Sequence, residues 1–465
     1  MTSISKIARR ARLSTLILPG ALALGLGGCN DQGGDPRAQI GPHPNLPEQT
    51  QYLLPPMHIA KVAGWKQGET PTVAPGLKIQ ALATGLQHPR SLYVLPNGDV
   101  LVVESKSPGT QPVTRPKDRV MAWVESWATS GGDTGPSNRI TLLHDINGEG
   151  VPKAQSVFLD HLNSPFGVAL VGEDLYVANT DGIVRYPYKE GDTKVTAPGT
   201  TLTELPGGPI DHHWTKSLVA SPDGSTLYAG VGSNSNITEN GIEAERDRAS
   251  VWQIDRATGR HRIFASGLRN PNGLSFEPQS GALWAVVNER DELGPDLVPD
   301  YMTSVTDGGF YGWPYSYYGQ HVDVRVTPQR PDLVAKALVP DYALGTHTAS
   351  LGLALTDGNA LPAPFASGAF VGQHGSWNRK PRSGYKVIFV PFSAGRPAGA
   401  PTDVLSGFVS ADGDAYGRPV GVVLDKKGAL LVADDVGNVV WRVTGSGEEH
   451  VPVDKGSTGS APHGD

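Results

Sequence analysis

The sequence predicts an all-β fold, a six-bladed β-propeller of four-stranded blades. The chain has 465 residues, of which 58 are Gly, 39 are Pro and only 18% are charged, a composition typical of a globular protein with a large core and many turns. A unit of strand, glycine turn and strand recurs at intervals of ~50 to 80 residues, which suits blades of four short strands. The copies share a Pro or Gly before the first strand, which argues against a β-sandwich with hairpins that are similar by chance.

The repeated unit is clearest in five segments. They are HPRSLYVLPNGDVLVVE at His88, SPFGVALVGEDLYVAN at Ser164, TKSLVASPDGSTLYAGVG at Thr215, NPNGLSFEPQSGALWAVVN at Asn270 and RPVGVVLDKKGALLVADD at Arg418. A less regular sixth copy begins at Ala349. The segment near Lys78 and the terminal strand at Val439 are predicted to pair and close the ring. An insertion at Asp118, DRVMAWVESWATS, has helical spacing and is predicted to lie outside the ring.

Residues 1–29 have the composition of a secretory signal that ends in a bacterial lipobox. Basic residues precede the apolar run LSTLILPGALALGL, and the sequence Leu-Gly-Gly-Cys ends at Cys29. Cys29 is the only cysteine, so no disulfide can form within the chain, and its position predicts that it carries lipid after processing. A free cysteine in an ordinary signal is the alternative.

The predicted location is the bacterial cell envelope. Asn30 follows the cysteine where an Asp would resemble the inner-membrane retention signal, so the anchor is expected in the outer membrane, facing the periplasm. The rest of the chain has no apolar run near the ~18 residues that a membrane helix needs. Residues 30–75 are rich in Pro, Gly and Gln and are predicted to form a tether, or a strap packed on the fold. The propeller is expected over 76–446 and a flexible tail over 447–465.

Charge and motifs exclude several classes of function. A formal net charge of -7 without a basic stripe makes nucleic acid an improbable partner, and a small neutral substrate fits better. No dinucleotide-binding fingerprint, zinc-ligand spacing or nucleophile elbow is present, and the single cysteine rules out a cysteine-based site in the propeller.

Polar residues open several of the repeats. Because the inner strands of a propeller begin at one end of the central channel, these residues are predicted to converge there. They are Arg90, His212, His213, Arg269, Asn270 and Arg418, and the sixth copy adds His374, Asn378 and Arg379.

Three motifs follow one another in the second half of the chain. RNPNGL begins at Arg269, VNERD ends at Asp291, and GGFYGWPYSYYG runs from Gly308 to Gly319. In these motifs the chain resembles the soluble pyrroloquinoline-quinone (PQQ) sugar dehydrogenases, and more closely the branch called L-sorbosone dehydrogenase. The resemblance covers about residues 75 to 445. It implies oxidation of a sugar or an aldose-type aldehyde by hydride transfer to PQQ. The last motif is expected mainly to pack its blade.

The resemblance also implies roles for individual residues. His213 stands at the spacing of the family's general base, and imidazole is neutral near pH 7 without much tuning. Asp211 could orient it, and because side chains alternate along a strand, only one of His212 and His213 should face the channel. Arg269 and Asn270 match quinone contacts.

The match to the cofactor site is incomplete. Arg418 matches a second family Arg, but Tyr416 stands where the glucose-oxidising members carry another. No counterpart of their cofactor-binding Lys is evident, so its role is expected to pass to other polar residues. These are His374, Asn378 and Arg379.

A calcium ion is the second cofactor that the resemblance implies. In the family, backbone carbonyls help to hold Ca²⁺ against the quinone, and here the corresponding positions are approximately Arg290 and Asp291. Oxygen ligands suit this hard cation, which would polarise the quinone carbonyl. The glucose enzymes have Gly-Pro at this pair, so the ligands do not carry over residue by residue.

Two other functions stay open at this point. One is a Ca²⁺-dependent propeller hydrolase such as a lactonase, which would turn over with metal and without quinone. The other is a non-catalytic propeller that binds sugar or a partner protein at the cell surface. Fold likeness does not fix a substrate, so L-sorbosone, glucose, other aldoses and simple aldehydes all remain candidates, and the electron acceptor is open too.

Overall fold

The structure is a computed structural model that describes residues 33–52, 56–109, 138–146 and 150–447. The lipobox at Cys29, the insertion at Asp118 and the tail from residue 448 lie outside these ranges. In chain order the strands are β1 (Ile40–Gly41), β2 (Thr72–Val73), β3 (Leu77–Ala83), β4 (Pro89–Val94), β5 (Val100–Glu104), β6 (Arg139–Ile146), β7 (Pro152–Leu159), β8 (Gly167–Val171), β9 (Asp174–Ala178), β10 (Gly182–Pro187), β11 (Thr200–Glu204), β12 (Lys216–Ala220), β13 (Thr226–Val231), β14 (Ser250–Asp255), β15 (His261–Ser266), β16 (Pro271–Phe276), β17 (Leu283–Val287), β18 (Pro299–Ser304), β19 (Ser316–Tyr317), β20 (His321–Val322), β21 (Tyr342–Thr346), β22 (Ser350–Asp357), β23 (Ser367–Gln373), β24 (Lys386–Ser393), β25 (Arg396–Pro397), β26 (Thr402–Ser406), β27 (Pro419–Leu424), β28 (Leu430–Asp434) and β29 (Val439–Gly445). Short helices are α1 (Pro331–Val334) and the 3-10 turns Pro36–Gln39 and Ile242–Glu245.

Six antiparallel blades of four strands form the ring, which confirms the predicted six-bladed β-propeller. Numbered in chain order, blades 1 to 3 are β4 to β7, β8 to β11 and β12 to β15. Blade 4 contains β16, β17, β18 and β21, and blade 5 contains β22, β23, β24 and β26. Blade 6 takes β27, β28 and β29 from the end of the chain and β3 from its beginning. Lys78 pairs with Thr444 there, so the predicted closure of the ring is confirmed.

The segment before the propeller packs on it as a strap. Its strand β1 extends the outer edge of blade 4, and β2 extends the outer edge of blade 5. Between them, Thr50 N–H donates to the Leu293 carbonyl at 2.9 Å and His58 N–H donates to the Trp377 carbonyl at 2.6 Å. The described part of the chain contains no helix that is both long and apolar enough to cross a membrane.

The hydrophobic core lies between neighbouring blades. Because strand side chains alternate between the two faces of a sheet, each blade buries apolar residues against the blade before it and the blade after it. Six buried clusters fill the six gaps between blades. In the gap between blades 4 and 5, for example, Trp284 packs in one cluster with Val371 and Ile388.

A small residue near the start of each inner strand lets adjacent blades approach. A Cβ atom on Gly421 of blade 6 would lie 2.7 Å from the Arg90 carbonyl of blade 1, and one on Gly273 of blade 4 would lie 2.8 Å from the Leu353 amide of blade 5. Such distances leave no room for a larger residue. The other copies carry Ser91, Gly167, Ser217 and Gly352 at the same point of the repeat.

The residue before each of these small positions is aligned near the axis of the ring. In blades 2, 5 and 6 these residues are Phe166, Leu351 and Val420, and they form one buried apolar cluster. Blades 2 and 5 lie on opposite sides of a six-bladed ring, so their contact must cross its axis. We call these three residues the axial plug.

Candidate active site

The predicted site residues lie at one end of the ring. In an antiparallel blade, the loop that enters the first strand and the loop between the second and third strands are at the same end. His213, Arg269, Asn270 and Arg418 come from the entering loops. The remaining predicted residues, Arg290, Asp291, His374, Asn378 and Arg379, come from the loops between second and third strands. We call this end of the ring the mouth.

His213 is held as a neutral imidazole with one nitrogen available. Its Nδ1 lies 2.9 Å from the Ser233 carbonyl oxygen and 3.0 Å from Ser233 Oγ. A carbonyl oxygen can only accept, so Nδ1 carries the hydrogen and Nε2 carries the lone pair. Burial, followed by the positive charge of Arg269, lowers the pKa of His213 well below its ordinary value. Nε2 is therefore able to accept a proton at neutral pH.

The orientation of His213 comes from the strand register. Lys216 pairs with Val231 in β12 and β13, and beyond this ladder the His213 amide donates to the Ser233 carbonyl at 3.3 Å. Asp211, which the sequence suggested for this role, accepts hydrogen bonds from the Gly208 amide with both oxygens, at 2.8 and 2.9 Å. The ring of His212 packs edge-on against His213, with 4.6 Å between the ring centroids.

Arg269 joins two loops of the mouth through their backbones. Its Nη1 donates to the carbonyls of Asn288 and Glu289 at 3.1 and 2.7 Å, and its Nε donates to the Asn236 carbonyl at 3.3 Å. Nη2 reaches Asn236 Oδ1 at 3.1 Å, and the residue is only 2% exposed. These contacts match the structural role of an Arg that holds a blade turn, and direct contact with a quinone stays a prediction.

Asn270 lies beside His213 and carries a side-chain oxygen that is not used as a hydrogen-bond acceptor by any described residue. Its Oδ1 is buried and has no hydrogen-bond partner among the described residues. The side chains of Asn270 and His213 flank Gly232, where a Cβ atom would lie 2.5 Å from His213 Cβ and even closer to Asn270 Oδ1. Since a buried acceptor is costly when unpaired, Asn270 has the character of a ligand-binding group.

Arg418 presents an unpaired cation to the mouth. Its guanidinium carbon lies 4.9 Å from the centroid of the Tyr385 ring, and its side chain makes no hydrogen bond or ion pair within the ranges that the structure describes. Its backbone amide donates to Asp434 Oδ1 at 2.7 Å, which fixes where the side chain starts. A half-buried guanidinium without an anion is suited to bind a carboxylate.

Next to Arg418 is a group of charged side chains that includes a residue the sequence analysis missed. Asp435 Oδ2 lies 2.6 Å from Arg90 Nη1 and 3.0 Å from His374 Nε2. Burial acts to raise the pKa of Asp435, but its interactions with His374 and Arg90 outweigh burial and hold this pKa well below the ordinary range. We call Arg90, His374, Arg418 and Asp435 the mouth cluster. The Asp-Asp pair that ends the last repeat was the available signal for Asp435.

His374 is the member of this cluster that was predicted to bind cofactor carboxylates. Burial lowers its pKa, and although Asp435 acts in the opposite direction, the net shift is downward. Arg90 also has a buried Nε without a partner among the described residues, and its guanidinium carbon lies 5.5 Å from the centroid of the Trp214 ring.

Asp291 and Asn378 meet in a second group of polar contacts. Asp291 Oδ1 accepts a hydrogen bond of 2.8 Å from Asn378 Nδ2 and lies 3.2 Å from His347 Nδ1. Burial acts to raise the pKa of Asp291, yet the hydrogen bond and charge of His347 and the charge of Arg269 outweigh it and lower that pKa. Asn378 Oδ1 is buried and lacks a partner within the described ranges.

Of the two carbonyls expected to bind calcium, that of Asp291 does not fit a metal. The Asp291 carbonyl accepts from Arg290 Nη2 at 2.9 Å, Arg290 Nε at 3.1 Å and Asn236 Nδ2 at 3.2 Å, which leaves no lone pair for a cation. The Arg290 guanidinium itself pairs with the buried Asp323. Burial raises the pKa of the nearby Glu289 to about 8, so this carboxyl is neutral at pH 7. The described residues also contain no group of three or more His, Cys, Asp or Glu side chains placed to hold a metal.

Arg379 and Tyr416 both contact the strap or its neighbours. Arg379 is 1% exposed and donates to Asp296 Oδ1 at 2.8 Å and to the carbonyls of Pro295 and Gly34 at 3.0 and 3.1 Å. Its predicted role in cofactor binding gains no support from these contacts. Tyr416, where an Arg was expected from the glucose-oxidising enzymes, packs on Trp65 of the strap with 5.3 Å between ring centroids.

The side chains of the mouth fit PQQ, which carries three carboxylates and a pair of quinone carbonyls. Arg418 and Arg90 supply positive charge with donors that are not fully used, which suits the carboxylates, and the acceptors of His213 and Asn270 suit the hydroxyl groups of a substrate. The fit is therefore to an anionic quinone, and it does not extend to the calcium ion.

Comparison with known proteins identifies the family that the sequence motifs indicated. A sequence model of the TrAA12-like family matches residues 138–300 and 332–446, which is more than half of the chain. An uncharacterized protein of Borreliella burgdorferi is 28% identical over 292 residues, covering 61% of this chain and 76% of its own length. The PQQ-dependent pyranose dehydrogenase of Coprinopsis cinerea is 22% identical over 362 residues, covering 69% of this chain. The match spans only 44% of the length of that dehydrogenase.

Solved structures show the same fold. The holo form of the pyranose dehydrogenase PQQ domain from Coprinopsis cinerea has a TM-score of 0.66 at 21% identity, covering 83% of this chain and 100% of that domain. The calcium structure of the Trichoderma reesei Carbohydrate-Active Enzymes Family AA12 protein has a TM-score of 0.64 at 18% identity, covering 81% of this chain and 97% of that one. The resemblance to PQQ-dependent sugar dehydrogenases that the motifs indicated is confirmed, and the chain belongs to the TrAA12-like family.

Proposed function

We propose that this protein is a quinone-dependent oxidoreductase that oxidises a sugar or an aldose-type aldehyde, with PQQ as its cofactor. The observation that carries the proposal is the state of His213, a neutral imidazole whose Nε2 lone pair is available at the mouth. The names of the matched dehydrogenases support the reaction class.

His213 is the general base of the proposed reaction. Its Nε2 takes the proton from the hydroxyl group on the carbon that is oxidised, which an aldehyde carries in its hydrate or hemiacetal form. The C–H bond of that carbon breaks with loss of hydride, so a C=O bond forms. The bound quinone supplies the hydride acceptor. The Ser233 carbonyl accepts the Nδ1–H of the resulting imidazolium and keeps the ring oriented while it carries the extra proton.

The other residues of the mouth bind the cofactor or position the groups that react. Arg418 and Arg90 pair with cofactor carboxylates, and Asn270 places its free Oδ1 beside the reacting groups. Arg269 is a positioning residue, because it fixes the loops around the mouth and its charge keeps His213 unprotonated. No step above passes through a calcium ion, because the Asp291 carbonyl is already saturated with hydrogen bonds, and calcium binding at Arg290 stays a prediction.

The substrate and location form part of the same proposal. We take L-sorbosone as the first aldehyde to test, on the strength of the sequence motifs alone, with glucose and other aldoses as comparisons. Cys29 is proposed as the site of a lipid anchor that holds the propeller on the outer membrane, facing the periplasm. Loss of lipid labelling and of membrane association in Cys29→Ser would support the anchor.

Dye-linked dehydrogenase activity of the protein without its signal tests the proposed reaction. Sugars and L-sorbosone should be oxidised only after addition of PQQ, and His213→Ala should lower kcat by about 100-fold or more. The exposed His321→Ala in β20 is the control, because it removes a histidine outside the mouth, and it should retain activity. Turnover that needs a metal but no quinone would instead indicate the hydrolase, and absence of both quinone binding and turnover would leave the non-catalytic propeller.

A further inference from the structure

We propose that an anionic quinone binds to the mouth cluster together with a proton, and that His374 is the residue that takes up this proton. The inference rests on the proposed function, because the anion is the tricarboxylate PQQ. It concerns a linkage between cofactor binding and pH, which is separate from the base role of His213.

The hydrogen bonding of His374 supplies the first step. Its Nε2 lies 3.0 and 3.1 Å from the two carboxylate oxygens of Asp435. An ionised carboxylate can only accept, so Nε2 carries the hydrogen, and in the neutral ring Nδ1 carries the lone pair. Within the described ranges Nδ1 makes no hydrogen bond. The free nitrogen of the ring is therefore an acceptor as long as His374 is neutral.

The charges around His374 supply the second step. Asp435 from the loop after β28 faces it with one negative charge, whereas Arg90 from β4 and Arg418 from the loop before β27 face it with two positive charges. Burial and these two cations lower the pKa of His374, and Asp435 offsets them only in part. Before any anion binds, the ring is neutral and the cluster carries a net positive charge.

A carboxylate that binds Arg418 reverses this balance. It adds negative charge beside His374, which favours the imidazolium. Where a carboxylate oxygen reaches Nδ1, it would repel the lone pair of a neutral ring, whereas the Nδ1–H of an imidazolium would donate a hydrogen bond to it. Arg90 fixes the position of Asp435, which accepts the hydrogen bond from His374 Nε2–H in either protonation state of the ring. Binding of the anion and protonation of His374 therefore stabilise one another.

This linkage makes two quantities measurable. If His374 is neutral in the free protein, about one proton should be taken up for each quinone bound at pH values between the pKa of the free ring and the higher pKa of the ring in the complex. In the same range of pH, quinone affinity should fall by about tenfold for each unit that the pH rises.

Calorimetric titration of the signal-free protein with PQQ tests the inference without any turnover. Titrations at one pH in phosphate and in Tris, whose ionisation enthalpies differ, give the number of protons taken up. The expected result is about one proton for the wild-type protein and close to none for His374→Gln. The exposed His321→Gln is the control, since it removes a histidine outside the mouth, and it should keep the wild-type value.

The outcomes separate the inference from the proposed function. Quinone binding without proton uptake in the wild type, or with undiminished uptake in His374→Gln, would overturn the role of His374 and leave the oxidoreductase intact. Absence of quinone binding in the wild type would overturn both. Should His374→Gln fail to fold, the pH dependence of wild-type affinity decides the matter, because an affinity that stays constant as pH rises contradicts the linkage.

Discussion

The indole Nε1 of Trp65 donates a hydrogen bond of 2.7 Å to Asp434 Oδ2 across 369 residues of sequence. Trp65 belongs to the strap, whereas Asp434 ends the second strand of blade 6. The other carboxylate oxygen of Asp434 accepts from the amides of Arg418 and Gly437 at 2.7 and 2.8 Å. One buried carboxylate thus connects the strap to the backbone that carries the free guanidinium of the mouth.

This connection predicts that the strap supports cofactor binding. Trp65→Phe keeps an aromatic ring against Phe408 and Trp441 but leaves Asp434 without one donor, so we expect a loss of about 1 kcal/mol in the free energy of unfolding. Trp65→Ala also removes the ring and should cost about 3 kcal/mol, with weaker quinone binding. Denaturant unfolding and quinone titration measure the two effects. Unchanged quinone affinity in Trp65→Ala would show that the strap is dispensable for the site.

Arg418 and Arg269 should respond differently to truncation. Arg418→Ala removes a side chain that pairs with no described residue, so stability should change little while quinone affinity falls by about 10-fold or more. Arg269→Ala leaves the carbonyls of Asn288 and Glu289 without their donor and should destabilise the fold by roughly 2 to 4 kcal/mol.

The exposed Arg330→Ala is the control for the loss of a positive charge. It should change neither stability nor quinone affinity by a measurable amount. Equal loss of affinity in Arg330→Ala and Arg418→Ala would mean that only the net charge of the protein matters.

Gly232 should be intolerant of a side chain. A Cβ atom there would lie 2.5 Å from His213 Cβ and against Asn270 Oδ1, so Gly232→Ala must push these two residues apart. Because a small displacement of a catalytic base is costly, we expect kcat to fall by about 10- to 100-fold with a smaller change in KM. Steady-state kinetics measure this, and a variant with wild-type kcat would place the base elsewhere.

Stability should decrease with pH because of Glu289. Burial raises the pKa of this carboxyl to about 8 from an ordinary 4.5, so the folded protein retains a proton that the unfolded chain releases. The stabilisation is complete below pH 4.5, decreases as pH rises, and is lost above about pH 8. Glu289→Gln should reduce the slope of unfolding free energy against pH by on the order of 1 kcal/mol per unit between pH 6 and 8.

The exposed Glu243→Gln should keep the wild-type slope, since its carboxyl is in water in both states. Denaturant unfolding at several pH values compares the three proteins. An unchanged slope in Glu289→Gln would indicate that this carboxyl is ionised at pH 7.

The sequence was informative wherever a feature repeats or lies in one segment. Hairpins with a shared glycine revealed six blades, and the pairing of the segment at Lys78 with the last strand followed from the need to close a ring. His213 could be placed at the mouth because it opens an inner strand. The three residues of the axial plug were also in the quoted repeats, but their apolar character alone did not show that they meet.

The rest could not be predicted because it depends on partners far apart in the chain. Ser233 and Trp65 act through contacts with residues from other segments of the chain, and no local pattern marks them. Arg269 shows a second limit, since a guanidinium that binds a ligand and one that binds carbonyls look the same in a motif. Only the geometry around it tells the two apart.

The axial plug has a consequence for the order of events in turnover. Phe166, Leu351 and Val420 form one buried apolar cluster near the axis of the ring, and we expect this cluster to close the route from the far end of the ring to the mouth. On the proposed function, the sugar and the electron acceptor must use the same opening and must visit it in turn. The enzyme should then follow ping-pong kinetics, and an excess of either reactant should slow the other half of the cycle.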